Sequence, residues 1–114
     1  MLKTLADVGV PLAFKLKFIS WNVNSLRARE PLVQKIIGKE NPDIICIQEL
    51  KIDDSEYVSN FFNQYDYQSI SQTQKSYNGV SISLKKNINF DELNDLNLQP
   101  SMRNSNFLMI NILI

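Results

Sequence analysis

Lys17-Phe18-Ile19-Ser20-Trp21-Asn22-Val23-Asn24-Ser25-Leu26-Arg27 and Pro42-Asp43-Ile44-Ile45-Cys46-Ile47-Gln48-Glu49-Leu50-Lys51 decide how this chain is read. Each is an apolar strand that runs into polar groups at its carboxyl end, and a helix-length segment lies between them. As parallel neighbours, the two strands deliver Asn22 and Glu49 to the same edge of one sheet. That is the edge where open α/β sheets bind ligands. A carboxylate and an amide converging there point to a site for a hard cation such as Mg²⁺.

The elements around these stretches follow from period and punctuation. Residues 15–22 read as a strand apolar on both faces (Phe18, Ile19, Trp21), which expects cover on both sides. From about residue 29 to 39 the period becomes helical: Leu32, Val33, Ile36 and Ile37 line one face, while Arg29, Glu30, Lys35 and Lys39 face away. Gly38 weakens the last turn, and Asn41-Pro42-Asp43 stops the helix. Residues 44–48 form a short apolar strand, completing a βαβ unit with a right-handed crossover. Asp53 with Glu56 resembles a capping box for a helix over 55–63 that buries Tyr57, Val58, Phe61 and Phe62. A strand over 65–71 and a polar loop over 72–78 come next. Residues 79–84 alternate, with Val80, Ile82 and Leu84 on one side and Ser81 and Ser83 on the other. Phe90, Leu93 and Leu96 admit a helical stripe within 87–100, against which the asparagines favour turns. Residues 106–114 read as a last apolar strand, an uncapped edge that pairs or aggregates.

Bulk composition narrows the function classes. The 114 residues suffice for one small domain, and 44% hydrophobic residues argue against disorder. Twelve basic and twelve acidic residues cancel, so phosphate binding needs a local patch, and solubility is poor. Lys75, Lys85, Lys86 and Arg103 are too scattered to form a basic groove. The single cysteine, Cys46, sits in an apolar run and reads as a buried structural thiol, in keeping with a reducing, cytoplasmic setting. No histidine is present, which excludes a Ser-His-Asp triad, a Cys-His pair and His-ligated zinc within these residues. No apolar run reaches the length of a membrane span. Residues 1–14 make a poor signal peptide and read as an irregular extension.

Each candidate residue has a plain alternative. Glu49 after four strand residues is costly unless paired or coordinating, yet it can also be a loop glutamate paired with Lys51. Asn22 can bind a ligand or end its strand by bonding its own backbone. Asn24 and Arg27 can contact phosphate oxygens or simply be solvated. Lys51 can orient Glu49, touch a phosphate or sit at the surface. Tyr77 can lie beside a nucleic-acid backbone, but Asn78-Gly79 is first of all a turn signal.

In order and spacing, Phe18 through Ala28, Pro42 through Lys51 and Tyr77-Asn78-Gly79-Val80 closely resemble the exonuclease III family of apurinic/apyrimidinic endonucleases, in the endonuclease/exonuclease/phosphatase superfamily. The resemblance spans about residues 16–114. It implies the N-terminal half of a two-sheet, four-layer α/β sandwich: one mixed sheet with flanking helices on one side, its other face exposed and prone to self-association. It also implies Mg²⁺-dependent (or Mn²⁺-dependent) hydrolysis of DNA phosphodiesters at abasic sites and 3′ ends in DNA repair. By position, Glu49 matches the metal-ligating glutamate, Asn22 the active-site asparagine of the first strand, and Asn24 a residue beside the metal. Arg27 and Lys51 match positions near the DNA backbone and the metal carboxylate. Tyr77 and Gly79 match the DNA-side loop. Ser25 and Leu50 depart from the usual Gly and Thr. A later tyrosine, an Asp-x-Asn that activates water and a closing Asp-His pair have no counterpart here. The expectation is therefore a truncated domain over 15–114 with little or no activity alone, a dimer or a partner of a complementary C-terminal half. Rival readings are a superfamily relative acting on RNA, lipid or inositol phosphates, a non-catalytic half-domain, and a flavodoxin-like domain. The last lacks a glycine in 22–27 with which to cradle phosphate.

Overall fold

The computed structural model describes residues 15–74, 76–93 and 107–113. Strand β1 (Phe18–Asn22) leads into helix α1 (Leu26–Glu40), then β2 (Ile44–Gln48), helix α2 (Ser55–Asn63), β3 (Tyr67–Gln72), β4 (Val80–Lys85), β5 (Asn89–Glu92) and β6 (Ile110–Leu113). Four strands form a mixed sheet in the order β1-β2-β4-β3. β1 and β2 are parallel, in the register Phe18 to Ile44 and Asn22 to Gln48. β4 runs antiparallel to both β2 and β3. The βαβ unit and the mixed α/β sheet thus stand as the sequence implies. β5 and β6 form a separate antiparallel ladder, so a second sheet accompanies the one expected. Among the described residues, no helix is long and apolar enough to cross a membrane.

Local chemistry explains the helix limits. Ser25 caps α1, its hydroxyl accepting from the Ala28 N–H at 3.2 Å. That cap starts the helix a turn before the apolar stripe does and places Pro31 inside it. Asn41 closes the helix in the left-handed region (φ 44°), its N–H bonded to the Ile37 carbonyl, and Pro42 prevents continuation. Asp54, not Asp53, caps α2, accepting from the Tyr57 N–H at 3.0 Å. Asp53 instead accepts from the Thr73 hydroxyl. The segment from 87 is neither helix nor turn alone: Phe90 lies in β5, while Leu96 and the extension 1–14 fall outside the described residues.

Both helices cover the same face of the four-stranded sheet. Leu26, Val33 and Ile37 of α1 and Val58, Phe61 and Phe62 of α2 close over Ile45, Ile47 and Tyr67. Leu32 remains 46% exposed, and Ile36 and Tyr57 are half-buried, so the buried stripes are narrower than the sequence suggested. Register decides which side of β4 joins this core. Ser83 lies opposite Ile45, and Ser81 opposite Ile47. The serine side of β4 is therefore the inner one, at 1% and 0% exposure, with the bulk supplied by the helices.

The other face carries Phe18, Cys46, Val80, Ile82 and Leu84. Ile44 and Leu84 are buried there, but Cys46, Val80 and Ile82 are half-buried and Phe18 is 57% exposed. β1 therefore lacks the two-sided cover its composition asks for. Cys46 is not the fully buried thiol expected, because it points away from the helices; partial burial still raises its pKa.

The serine pair gives a clean contrast. Ser83 Oγ shares a hydrogen bond of 2.6 Å with Ser69 Oγ, whereas the buried Ser81 Oγ has no partner among the described residues. Removing an unsatisfied hydroxyl relieves a desolvation cost, and removing a bonded one loses a bond. In urea melts, Ser83→Ala is expected to cost about 1 kcal/mol, and Ser81→Ala to be neutral or stabilising by up to about 1 kcal/mol. Equal losses for the two would contradict this assignment of their hydroxyls.

Tyr67 gives a pH signature. Its hydroxyl donates to the Pro42 carbonyl, and burial, with Asp43 nearby, raises its pKa above the ordinary tyrosine value. The folded state then holds the phenolic proton more tightly than the unfolded state. Its contribution is fully present below the unfolded value of about 10 and is lost as pH rises beyond it. Denaturant midpoints measured from pH 8 to 11 should fall above about pH 10, and Tyr67→Phe should flatten that fall.

Candidate functional site

Three loops meet at the edge where β1 and β2 end and β4 begins. Backbone bonds continue the parallel ladder past the strands. The Val23 N–H donates to the Gln48 carbonyl at 3.1 Å, Ser25 to Glu49 at 2.9 Å, and Leu26 to Leu50 at 3.1 Å. The second loop is then tied to the third, with Leu50 N–H donating to the Gly79 carbonyl at 3.0 Å and Lys51 N–H to the Asn78 carbonyl at 2.9 Å. Asn22 ends β1 at this edge, and Asn24, Arg27, Glu49, Lys51, Tyr77 and Gly79 lie on these loops or the first turn of α1 that they hold.

The backbone here is unusual. Of the nine described residues with positive φ, seven lie at this edge: Asn24, Ser25, Glu49, Lys51, Ser76, Asn78 and Gly79. Side-chain-bearing residues in the left-handed region cost energy and persist where surrounding contacts enforce them, commonly at functional sites. Glu49 and Lys51, both at φ 55°, are the least expected of the set, and nothing in the residue types announces them.

The side chains sort as follows. Asn22 Oδ1 accepts from the Asn24 N–H at 3.2 Å, so Asn22 does end its strand with a local backbone bond, which leaves its amide nitrogen unused by that contact. Lys51 Nζ donates to Asn24 Oδ1 at 2.5 Å, so the lysine is held by a neutral amide and does not pair with Glu49. The half-buried Glu49 carboxylate makes no hydrogen bond or ion pair among the described residues. Tyr77 is 59% exposed at the rim. Gly79 is buried, at φ 95°, beneath Leu50. Among the described residues, no three His, Cys, Asp or Glu side chains cluster as a metal cage.

Arg27 has an arrangement that sequence reasoning missed. Its guanidinium lies 4.9 Å from the centre of the Tyr57 ring. The Tyr57 hydroxyl donates to Glu30 Oε1. Desolvation and the Glu30 hydrogen bond raise the phenol pKa, and Arg27 opposes them. The available signal was the i, i+3 spacing of Arg27 and Glu30; the part played by Tyr57, on another helix, was not visible.

Chemically, the edge combines a free carboxylate, two amides, two cations and an exposed aromatic ring. Such a set can hold a hard cation and meet a polyanion. Lys51 and Arg27 are suited to phosphate oxygens, one as a point charge and the other as a planar fork.

Gly79 has a testable backbone role. A Cβ there would lie 3.0 Å from Leu50 Cβ, at a φ that L residues rarely adopt. Gly79→Ala is expected to lower stability by roughly 1–3 kcal/mol, read as a shift of the denaturation midpoint. An unchanged midpoint would show that the 78–79 turn can relax.

Comparison with known proteins follows the same boundaries. The Endonuclease/Exonuclease/phosphatase family profile matches residues 19–106. An exodeoxyribonuclease III of Haemophilus influenzae is 37% identical over 71 residues, covering 62% of this chain and 27% of that protein. A DNA-(apurinic or apyrimidinic site) endonuclease of Dictyostelium discoideum is 34% identical over 77 residues, covering 66% and 21%. Among solved structures, an AP endonuclease from Archaeoglobus fulgidus superposes with TM-score 0.65 at 30% identity, covering 75% of this chain and 33% of that one. A Neisseria 3′ phosphatase bound to a product DNA hairpin superposes with TM-score 0.60 at 34% identity, covering 75% and 34%. The chain thus spans about a quarter of the length of these curated relatives and a third of these solved ones. With the profile matched over most of its length, the chain belongs to the endonuclease/exonuclease/phosphatase family, among relatives of the exonuclease III and AP endonuclease type.

Proposed function

We propose that this chain supplies the first part of the active site of an exonuclease III-like, Mg²⁺-dependent DNA phosphodiesterase. Its substrates in this reading are abasic sites and 3′ ends in duplex DNA. The observation that carries the reading is the meeting of Glu49, Asn22, Asn24 and Lys51 where the parallel pair ends. The relatives named for AP endonuclease and 3′ phosphatase activity on DNA support the substrate class.

The donor set fits the cation. Mg²⁺ takes oxygen ligands, often one or two carboxylates, and keeps several waters. Glu49 is a carboxylate without a partner among the described residues, and Asn22, opposite Gln48 in the register, adds an amide at the same sheet edge. When bound, the ion neutralises charge on the phosphate oxygens. Asn22 and Glu49 are assigned to the reacting phosphate and the metal. Asn24 holds Lys51, and Lys51 with Arg27 neutralises backbone phosphates. Tyr77 lies against the duplex, and Gly79 lets the third loop close on Leu50.

In-line hydrolysis also needs a group that activates water and one that stabilises the charge developing on phosphorus. The 114 residues contain no histidine, and no carboxylate pair stands beside Glu49 among the described residues. We assign those parts to the portion of the domain that this chain does not span. In this reading, that portion covers the sheet face carrying Phe18, Cys46, Val80 and Ile82, as a complementary half; a second copy of the chain is the competing occupant.

The test is Mg²⁺-dependent nicking of a duplex with one abasic site. The chain is assayed alone and mixed with the remaining two thirds of the Archaeoglobus fulgidus relative. Expected are little cleavage alone and cleavage in the mixture that EDTA abolishes. Glu49→Ala should lower the rate roughly a hundredfold to a thousandfold. Full activity of Glu49→Ala would remove Glu49 from the site. Sedimentation of the chain alone distinguishes a dimer from an unpaired half.

A further inference from the structure

Arg27 stands on the first turn of α1, next to residues bonded to the Glu49–Leu50 loop, and it is exposed. An exposed arginine ordinarily samples many rotamers and loses that freedom when it grips a phosphate. Here its guanidinium carbon lies 4.9 Å from the centre of the Tyr57 ring, and the guanidinium also acts on the Tyr57 hydroxyl through a side-chain hydrogen bond. Tyr57 is itself fixed twice. Its backbone N–H is bonded to the Asp54 cap at 3.0 Å, and its hydroxyl donates to Glu30. Glu30 is three residues beyond Arg27 on α1, the spacing at which the two could form an ion pair. Among the described residues they form none; the Glu30 oxygen is occupied by the phenol. A guanidinium has five N–H donors, so contact with one tyrosine leaves most of them available, and these are the donors that match phosphate oxygens.

We propose that Tyr57, braced by Glu30, is a positioning residue that preorients Arg27 for a backbone phosphate of bound DNA. The inference rests on the reading of Arg27 as a phosphate contact. The brace acts across two helices: α2 supplies the ring, α1 supplies both the cation and the carboxylate that fixes the ring, and the phosphate meets Arg27 at the end of α1 nearest Glu49. Tyr57 touches no reacting atom in this account. Its effect on binding passes wholly through Arg27.

The test is anisotropy of a fluorescein-labelled duplex carrying a tetrahydrofuran abasic analogue, without divalent cation, across a range of KCl concentrations. The full chain is compared with Arg27→Gln, Tyr57→Leu, Tyr57→Phe and the Arg27→Gln/Tyr57→Leu double variant, each checked by circular dichroism. Arg27→Gln is expected to weaken binding and to reduce the slope of log K against log [KCl] by about 0.9, one phosphate contact. Tyr57→Leu keeps the apolar bulk but loses the stack, and should weaken binding about three- to fivefold. Tyr57→Phe keeps the ring but loses the Glu30 brace, and should weaken binding measurably but less than Tyr57→Leu. In the Arg27→Gln background, Tyr57→Leu should change nothing further.

Equal effects of Tyr57→Leu with and without Arg27 would mark Tyr57 as merely structural and overturn the proposal. So would wild-type affinity in Tyr57→Leu alongside weakened binding in Arg27→Gln. If Arg27→Gln binds as the unaltered chain does, or if that chain does not bind the duplex at all, the phosphate reading of Arg27 fails and the positioning role fails with it.

Discussion

The parallel pairing of β1 with β2 is the constraint from which the rest of the candidate site follows. Its ladder does not stop at Asn22 and Gln48. It runs on through the N–H groups of Val23, Ser25 and Leu26 to the carbonyls of Gln48, Glu49 and Leu50. Pairing at that point holds two loops together where sequence would leave them free. Asn24, Ser25, Glu49 and Lys51 adopt left-handed conformations there. The start of α1 is fixed by the same bonds. The backbone positions of Arg27, Glu49 and Lys51 are therefore set by amide bonds, and side chains then orient the two cations.

The parts of this arrangement that sequence revealed are those set by period and by strand ends. The apolar runs on either side of a helical stripe specify the βαβ unit, and a parallel pair must place Asn22 and Glu49 at one edge. The helix stop at Asn41-Pro42 was legible because proline cannot continue a helix and asparagine tolerates φ above zero. What stayed hidden depends on contacts between elements. The Tyr57 ring under Arg27 joins two helices. The Lys51 bond to Asn24 joins two loops and replaces the lysine–glutamate pair that spacing alone suggests. Ser25 starts the helix by a cap, before any apolar residue of the stripe is reached.

β4 shows why an alternating pattern does not name its own inner face. Period two separates Val80, Ile82 and Leu84 from Ser81 and Ser83, and either side can face the helices. Register with β2 chose the serines. The choice is physically reasonable because both faces of this sheet demand cover. The helices bring bulky residues, Phe61 and Phe62, to one side, where small serines leave space for them. The branched residues of β4, with Phe18 and Cys46, are left to the other side, which the described residues cover only around Ile44 and Leu84.

Charge is arranged with the same asymmetry. At the edge where β2 begins, cations meet carboxylates: Lys17 lies 3.4 Å from Glu40, and Lys85 lies 3.6 Å from Asp43. Asp43 also accepts from the Lys17 N–H at 2.7 Å, so it fastens β1 and β4 to the start of β2. At the opposite edge both cations are held by neutral groups, Lys51 by the Asn24 amide and Arg27 by the Tyr57 ring. A neutral partner orients a cation without cancelling its field, whereas a carboxylate within 4 Å cancels most of it. Net charge of zero is thus compatible with a polyanionic ligand, because neutralisation is spent at one end of the sheet and withheld at the other. Of the carboxylates at that end, Glu30 is taken up by the Tyr57 hydroxyl and Glu49 has no partner among the described residues, so a divalent cation bound to Glu49 would turn that negative position positive. On this argument a divalent cation at Glu49 would complete the electrostatic character of the edge, which the paired lysines at the other edge cannot do.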